Sequence, residues 1–171
     1  AVMTFLPRYL DGADFRFLGL PPEGIRNYLT AGVMLLGIAG QYTAGRIGRA
    51  HLLEPLLATA FFAAAPCVLW MGFAIGPARL YAAAVFTPLF FMHQPLFNSL
   101  VAKYVPRHRR SVCYGLYYTL SFSIGALGPA FAGQIASDAV TYSTLAGLLT
   151  AAACLAAVLW RWNGRIVAGE G

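Results

Sequence analysis

Charge is what this chain has least of. Asp, Glu, Lys and Arg together make up 11% of its residues, against about 25% in ordinary soluble domains. With 59% hydrophobic residues and a mean hydropathy of +0.65, it has too few charges to cover the surface of a water-soluble globule. Cysteine is scarce as well. Cys67, Cys113 and Cys154 are odd in number and form no CxxC, so no disulfide framework and no metal site follow. In apolar helices cysteine acts as a small hydrophobe. The sequence has no GxxxxGK[ST] and no GxGxxG, which removes the two common glycine-rich phosphate cradles. No cofactor is implied.

The charges that remain are clustered. Uncharged runs separate them: 19 residues at 27–45, 24 at 55–78, 23 at 80–102, 27 at 111–137 and 22 at 139–160. Crossing the hydrocarbon core takes about 20 apolar residues. Five such gaps predict an all-α, polytopic membrane helix bundle with five complete transmembrane helices. The opening, "AVMTFLP", is apolar but too short to span. It also lacks the basic n-region of a signal peptide. We read it as the end of a sixth helix that begins upstream, so the chain is expected to be a fragment of a longer protein.

The net charge of +6 sorts by side of the membrane. If the spans alternate, one side holds Arg46, Arg49, Lys103, Arg107, Arg109, Arg110, Arg161 and Arg165. The other holds Arg8, Arg16, Arg26 and Arg79, with Asp11, Asp14, Glu23 and Asp138 among them. The positive-inside rule places the richer side in the cytosol. The C-terminus is then cytosolic and the 8–26 loop faces outward, in a cytoplasmic (inner) membrane. The basic stretch "KYVPRHRR" lies between two spans, so it is read as a cytosolic loop and no nucleic-acid partner is expected. The lipid bilayer is the first partner.

The expected map runs from a helix tail at 1–10 and an outer loop at 11–26 to helices at 27–46, 53–73, 79–102, 111–136 and 141–161. Residues 1–162 form the bundle; 163–171 form a cytosolic tail without structure. The tripeptide Ala-Gly-Gln occurs at 39–41 and again at 132–134, a slender hint of inverted three-helix repeats. Trp70, Trp160 and Trp162 stand at span ends, where aromatic anchors sit.

The stretch "GIAGQYTAGRIGR" (37–49) holds four glycines and ends in two arginines. Gly40, Ala44 and Gly48 recur every four residues and so share one helix face. Gly125, Pro129 and Gly133 do the same. In lipid, small residues let helix backbones approach closely, so these are helix-packing candidates. Arg46 and Arg49 mark the cytosolic end.

Here the sequence resembles the major facilitator superfamily of transporters. "GQYTAGRIGR" looks like the glycine-arginine loop between the second and third helices of each half. Residues 94–133 are similar to the tenth and eleventh helices with their loop: a proline-terminated helix, a basic loop, a Tyr-Gly opening and a Gly-x-x-Gly-Pro. The resemblance implies the C-terminal half of a two-bundle fold, from the end of helix seven through helix twelve. It implies a secondary transporter, not an enzyme, with the missing N-terminal half, a small-molecule substrate and a coupling proton as partners. Gly45, Arg46, Gly48 and Arg49 fall on the gating loop. That loop usually carries an aspartate where Gly45 stands, which puts the gating role of the arginines in question.

Apart from Arg46, Glu54, Arg79 and Arg161 at their ends, the five complete spans contain no Asp, Glu, Lys or Arg, so substrate contacts must be neutral. Of His51, His93 and His108, only His93 lies within a span, and no catalytic constellation forms. Gln94 and Asn98 are four apart on the third complete span, beside His93, and Pro88 and Pro95 permit that helix to bend. The fourth carries Tyr117, Tyr118, Ser121 and Ser123. The resemblance places helices eight, ten and eleven around the central cavity, so His93, Gln94, Asn98 and Tyr118 are the substrate-binding candidates. The rival reading is a non-transporting membrane scaffold or assembly subunit, in which the same groups only bond helix to helix.

Overall fold

Proline and glycine punctuate the chain where its helices begin, bend and end. The computed structural model describes residues 2–13, 21–134 and 137–169. Helix α1 is Val2–Asp11 and α2 is Pro22–Ile47. Two prolines open α2, where a missing N–H costs nothing, and its end is marked by Gly48, whose N–H donates to the Ala44 carbonyl at 2.9 Å. Helix α3 is Leu53–Phe73, α4 Ala78–Phe91, α5 His93–Tyr104, α6 Arg110–Gln134 and α7 Asp138–Gly169, with a 3-10 turn at Arg107–Arg109 after Pro106. Among the described residues every regular element is helical.

Three stretches are long and apolar enough to cross a membrane: Leu53–Phe73, Ala78–Tyr104 and Asp138–Trp162. Helices α2 and α6, with 26 and 25 residues, reach about 37–39 Å at 1.5 Å per residue. The chain is an all-α membrane helix bundle.

Two expectations are corrected. The span at 79–102 is not one uninterrupted helix; it breaks at Met92 into α4 and α5. Pro88 and Pro95 each lack the N–H that would close a helical turn, and the break falls between them. Met92 keeps helical dihedrals, and its N–H donates to the Pro88 carbonyl at 3.1 Å, so the interruption is local and Ala78–Tyr104 remains one span. The tail also differs, since α7 continues as a helix through Gly169. The run 155–169 has a single glycine before its end and no proline, so nothing in it stops the helix at 162.

Packing follows the small residues. A Cβ added at Gly40 would stand 2.0 Å from the Pro88 carbonyl oxygen, and one at Gly37 would stand 2.6 Å from the Phe91 ring. Helix α2 therefore touches the backbone of α4 directly. Ala44, 1% exposed, continues the same face into a core with Leu53, Leu57, Leu96, Leu100 and Ala156. A second core gathers Leu6, Tyr9, Val68, Met71, Phe86 and Tyr142 toward the other end. Helix α3 packs along α7 through buried alanines such as Ala64, Ala146, Ala153 and Ala156. Close approach of this kind drives association where lipid removes the hydrophobic effect. Gly125 meets nothing within 4 Å, because its stretch of α6 is exposed; Pro129 and Gly133 lie outside the residues whose side chains are described.

The charges occupy opposite ends of the bundle. At one end Arg79 donates to the Tyr9 carbonyl at 3.1 Å and pairs with Asp138 at 3.4 Å. Its guanidinium lies 5.0 Å from the Tyr9 ring centre. Tyr9 donates to the Met71 carbonyl at 2.9 Å, and Arg26 pairs with Asp11 at 3.2 Å. That end thus ties α1, α3, α4 and α7 together. At the other end Lys103 pairs with Glu54 and donates to the Ala50 carbonyl at 2.8 Å. Arg110 donates to the carbonyls of Ala102 and Val105 at 2.6 and 3.1 Å, satisfying the open C-terminus of α5.

The α2–α4 contact has a direct test. Gly40→Ala should lower stability by at least about 2 kcal/mol, because a carbonyl oxygen has no room to give. Gly32→Ala, where nothing lies within 4 Å, should stay within about 0.5 kcal/mol. Thermal unfolding in detergent reads both, and equal melting of the two variants would remove the contact from this account.

Candidate functional site

The site lies just past Met92. After it, Gln94 and Asn98 stand one helical turn apart on α5, sharing a face. Gln94 looks toward α2, where the Gln41 amide donates to its side-chain oxygen at 3.4 Å. Asn98 looks toward α6. Its side-chain oxygen accepts from the Tyr118 hydroxyl at 3.3 Å, and its backbone carbonyl accepts from the Tyr114 hydroxyl at 2.8 Å. Three helices thus bring Gln41, Gln94, Asn98 and Tyr118 to one half-open face.

Aromatic rings run alongside. Phe97 stacks on Tyr117 with centres 4.1 Å apart and planes 19° off parallel. Tyr117 and Tyr118 follow at 5.0 Å, and Tyr118 and Phe122 at 6.3 Å with planes 24° apart. Phe97, Tyr117 and Tyr118 are half-buried, while Phe122 is 75% exposed. Such offset geometry suits ring quadrupoles.

His93 is turned the other way. Its Nδ1 lies against the Phe90 carbonyl, and its ring centre is 4.8 Å from Phe90 and 5.8 Å from Phe61. Phe61 and Phe90 also line an apolar cleft of about 230 Å³ with Phe86, Leu145, Leu148, Leu149 and Ala152. Of the four substrate-binding candidates, the structure brings Gln94, Asn98 and Tyr118 together and sets His93 apart. One residue step turns a helix by about 100°, enough to move neighbours onto different faces.

The candidate gating residues divide between a helix and a turn. Gly45 and Arg46 are inside α2; Gly48 and Arg49 follow it. Arg46 folds back on its own helix, donating to the Tyr42 hydroxyl at 2.8 Å, with its guanidinium 5.7 Å from that ring.

Two partners escaped the sequence reading. Gln41 was passed over among glycines, although it follows Gly37 by one turn and so borders the small-residue face. Glu54 read only as a charge at a span boundary. It is 1% exposed, with Lys103 Nζ 2.5 Å away and the Tyr104 hydroxyl donating to the same oxygen. This is the contact that fixes the start of α3 against the end of α5. Among the described residues no three His, Cys, Asp or Glu side chains are placed to hold a metal ion.

A bundle of long apolar helices with charges at its two ends and an uncharged polar face on one side is a polytopic membrane protein. The family model described as Major Facilitator Superfamily matches residues 1–129, most of the 171-residue chain. The chain belongs to that superfamily, whose members are membrane transporters. No curated protein and no solved structure matches it significantly. The matched region carries α1 through α5 and the aromatic stretch of α6.

Removing one partner of a buried ion pair costs about 3–5 kcal/mol, whereas replacing both with apolar groups is often close to neutral. Lys103→Met should therefore destabilise the bundle by that amount, and Glu54→Leu combined with Lys103→Met should recover most of it. A double-mutant cycle on thermal unfolding measures the coupling; additive effects would show that the pair is merely exposed charge.

Proposed function

We propose that this chain is the C-terminal half of a secondary transporter that moves a small molecule across a cytoplasmic membrane by alternating access. The observation that carries the reading is the face of α2, α5 and α6 in a chain of a transporter superfamily. Its amides and hydroxyl are uncharged, and the Gln41–Gln94 and Tyr118–Asn98 hydrogen bonds are long, at 3.4 and 3.3 Å. Bonds of that length are weak. In membrane bundles side-chain bonds between helices average about 0.6 kcal/mol, so a substrate group exchanges with them at small cost. The other bundle of the same protein closes over this face, and the two rock about the substrate between them.

The bundle at 1–162 lies in the bilayer in this reading, and residues beyond 163 emerge into the cytosol. The basic end with Arg46, Arg49, Lys103 and Arg110 is cytosolic by the positive-inside rule. The end with Arg79 and Asp138 faces outward. Gly45, Arg46, Gly48 and Arg49 line the cytosolic gate. The described part of the substrate face holds no carboxylate, so a proton-coupling acid belongs to the other bundle.

Transport by the complete protein in proteoliposomes tests the reading. Gln94→Ala and Asn98→Ala should each lower uptake about tenfold or more while insertion is unchanged. Full uptake in both would move the site elsewhere; failure to move any solute of a broad panel would favour a scaffold. Sidedness has its own check in a cysteine-free background. Ile75→Cys, at a position 83% exposed, should react with an impermeant maleimide from outside. His51→Cys should react only after the membrane is opened, and the reverse pattern would invert the topology.

A further inference from the structure

The aromatic run on α6 does more than join two helices. Phe97 against Tyr117 is the α5–α6 contact. Past it the run continues on α6 alone: Tyr117, Tyr118 and Phe122 are ring neighbours along one helix. Helix α6 rests mainly on α5 and the 3-10 turn, and Phe122 is 75% exposed. Tyr117 stays stacked on Phe97 and is tilted 56° to Tyr118, whereas Tyr118 and Phe122, 24° from parallel, carry the aromatic surface beyond the packed interface onto the open side of the face. Gln41, Gln94 and Asn98 supply amides beside it, with hydrogen-bonding capacity left after the bonds they make to each other and to Tyr118. Helices α2 and α6 over 27–45 and 111–134, and α5 up to Ala102, carry no Asp, Glu, Lys or Arg.

We propose that the ligand of this face is a planar aromatic molecule, uncharged or cationic, that stacks on the Tyr118 and Phe122 rings and is read along its edge by Gln41, Gln94 and Asn98. Stacked rings accept a flat partner in the same offset geometry they already adopt. A cation is favoured over a ring face by the quadrupole. An anion finds no positive side chain on this face, and burying it unpaired is costly. The proposal rests on the transporter reading for its site, but its test is separable, because binding is measured apart from transport.

The complete protein is purified in detergent and titrated with ethidium, a planar aromatic cation, and with coumarin, a neutral planar aromatic. Glucose and benzoate serve as non-aromatic and anionic comparisons. Ethidium and coumarin should bind, read by their fluorescence. Phe122→Ala and Tyr118→Ala should each weaken both about three- to tenfold, as expected for one stacked ring. Tyr118→Phe, which keeps the ring and removes only the bond to Asn98, should stay within about threefold of the unaltered protein. No binding of either probe, binding indifferent to both alanine variants, or benzoate binding as tightly as coumarin would overturn the proposal. Uptake of glucose without aromatic binding would overturn it and leave the transporter reading standing. Ethidium binding that weakens in Phe122→Ala and Tyr118→Ala, in a protein that transports nothing, would do the opposite.

Discussion

The rest of the structure depends on how closely α2 approaches α4. At Gly40 there is no side chain between the two backbones, and the Pro88 carbonyl occupies the space a Cβ would need. Lipid offers no hydrophobic gain for bringing helices together, so association rests on contact area and on polar bonds. A glycine opposite a proline provides contact area. The helix then runs on past Met92 into α5, where Gln94 meets Gln41 of α2 and Asn98 meets Tyr118 of α6. The α2–α4 contact thus lies in the same pair of segments that carries the polar face.

The two ends hold this arrangement in register. Arg79 reaches α1 and α7 at one end, and Lys103 with Tyr104 reaches the buried Glu54 at the other. Both sets sit outside the apolar middle, where a charged group would be expensive. Among the described residues the middle keeps only neutral polar groups; Gln41, Gln94, Asn98 and Tyr118 gather on one face, while Thr87 and His93 lie elsewhere. The ion pairs at the ends and the weak amide bonds of that face are thus separate along the bundle.

What was legible in the sequence is what the bilayer dictates. A span must exclude charge for about 20 residues, so the gaps between charged residues outlined the helical class, the approximate ends of α2 and α3, and the combined extent of α4 and α5. The break at Met92 was half visible, since Pro88 and Pro95 signal a bend without saying where it falls. Azimuth was harder. His93, Gln94 and Asn98 look alike as polar residues in an apolar run, and only the packed helices separate the amide face from the Phe61–Phe90 side. Gln41 was invisible because its partner lies 53 positions away, and periodicity reports only local neighbours. Glu54 was misjudged for a related reason. It marked only the end of an uncharged run, and its burial comes from Lys103 and Tyr104 on a distant helix. The tail was misread on composition: polar residues and glycine after Trp162 suggested a loose end, yet no helix breaker stands there.

The gating loop poses a sharper physical question. The superfamily pattern has an acid where this chain has Gly45, and Arg46 turns instead to Tyr42 on its own helix. The nearby acid, Glu54, is already engaged by Lys103 and Tyr104. A guanidinium held by a neutral hydroxyl keeps its full charge for another partner, because a phenol does not neutralise it. An arginine locked to an aspartate would be spent within its own bundle. Arg46 therefore keeps electrostatic reach toward carboxylates or helix C-termini, and on the transporter reading proposed above that reach is directed outside this bundle.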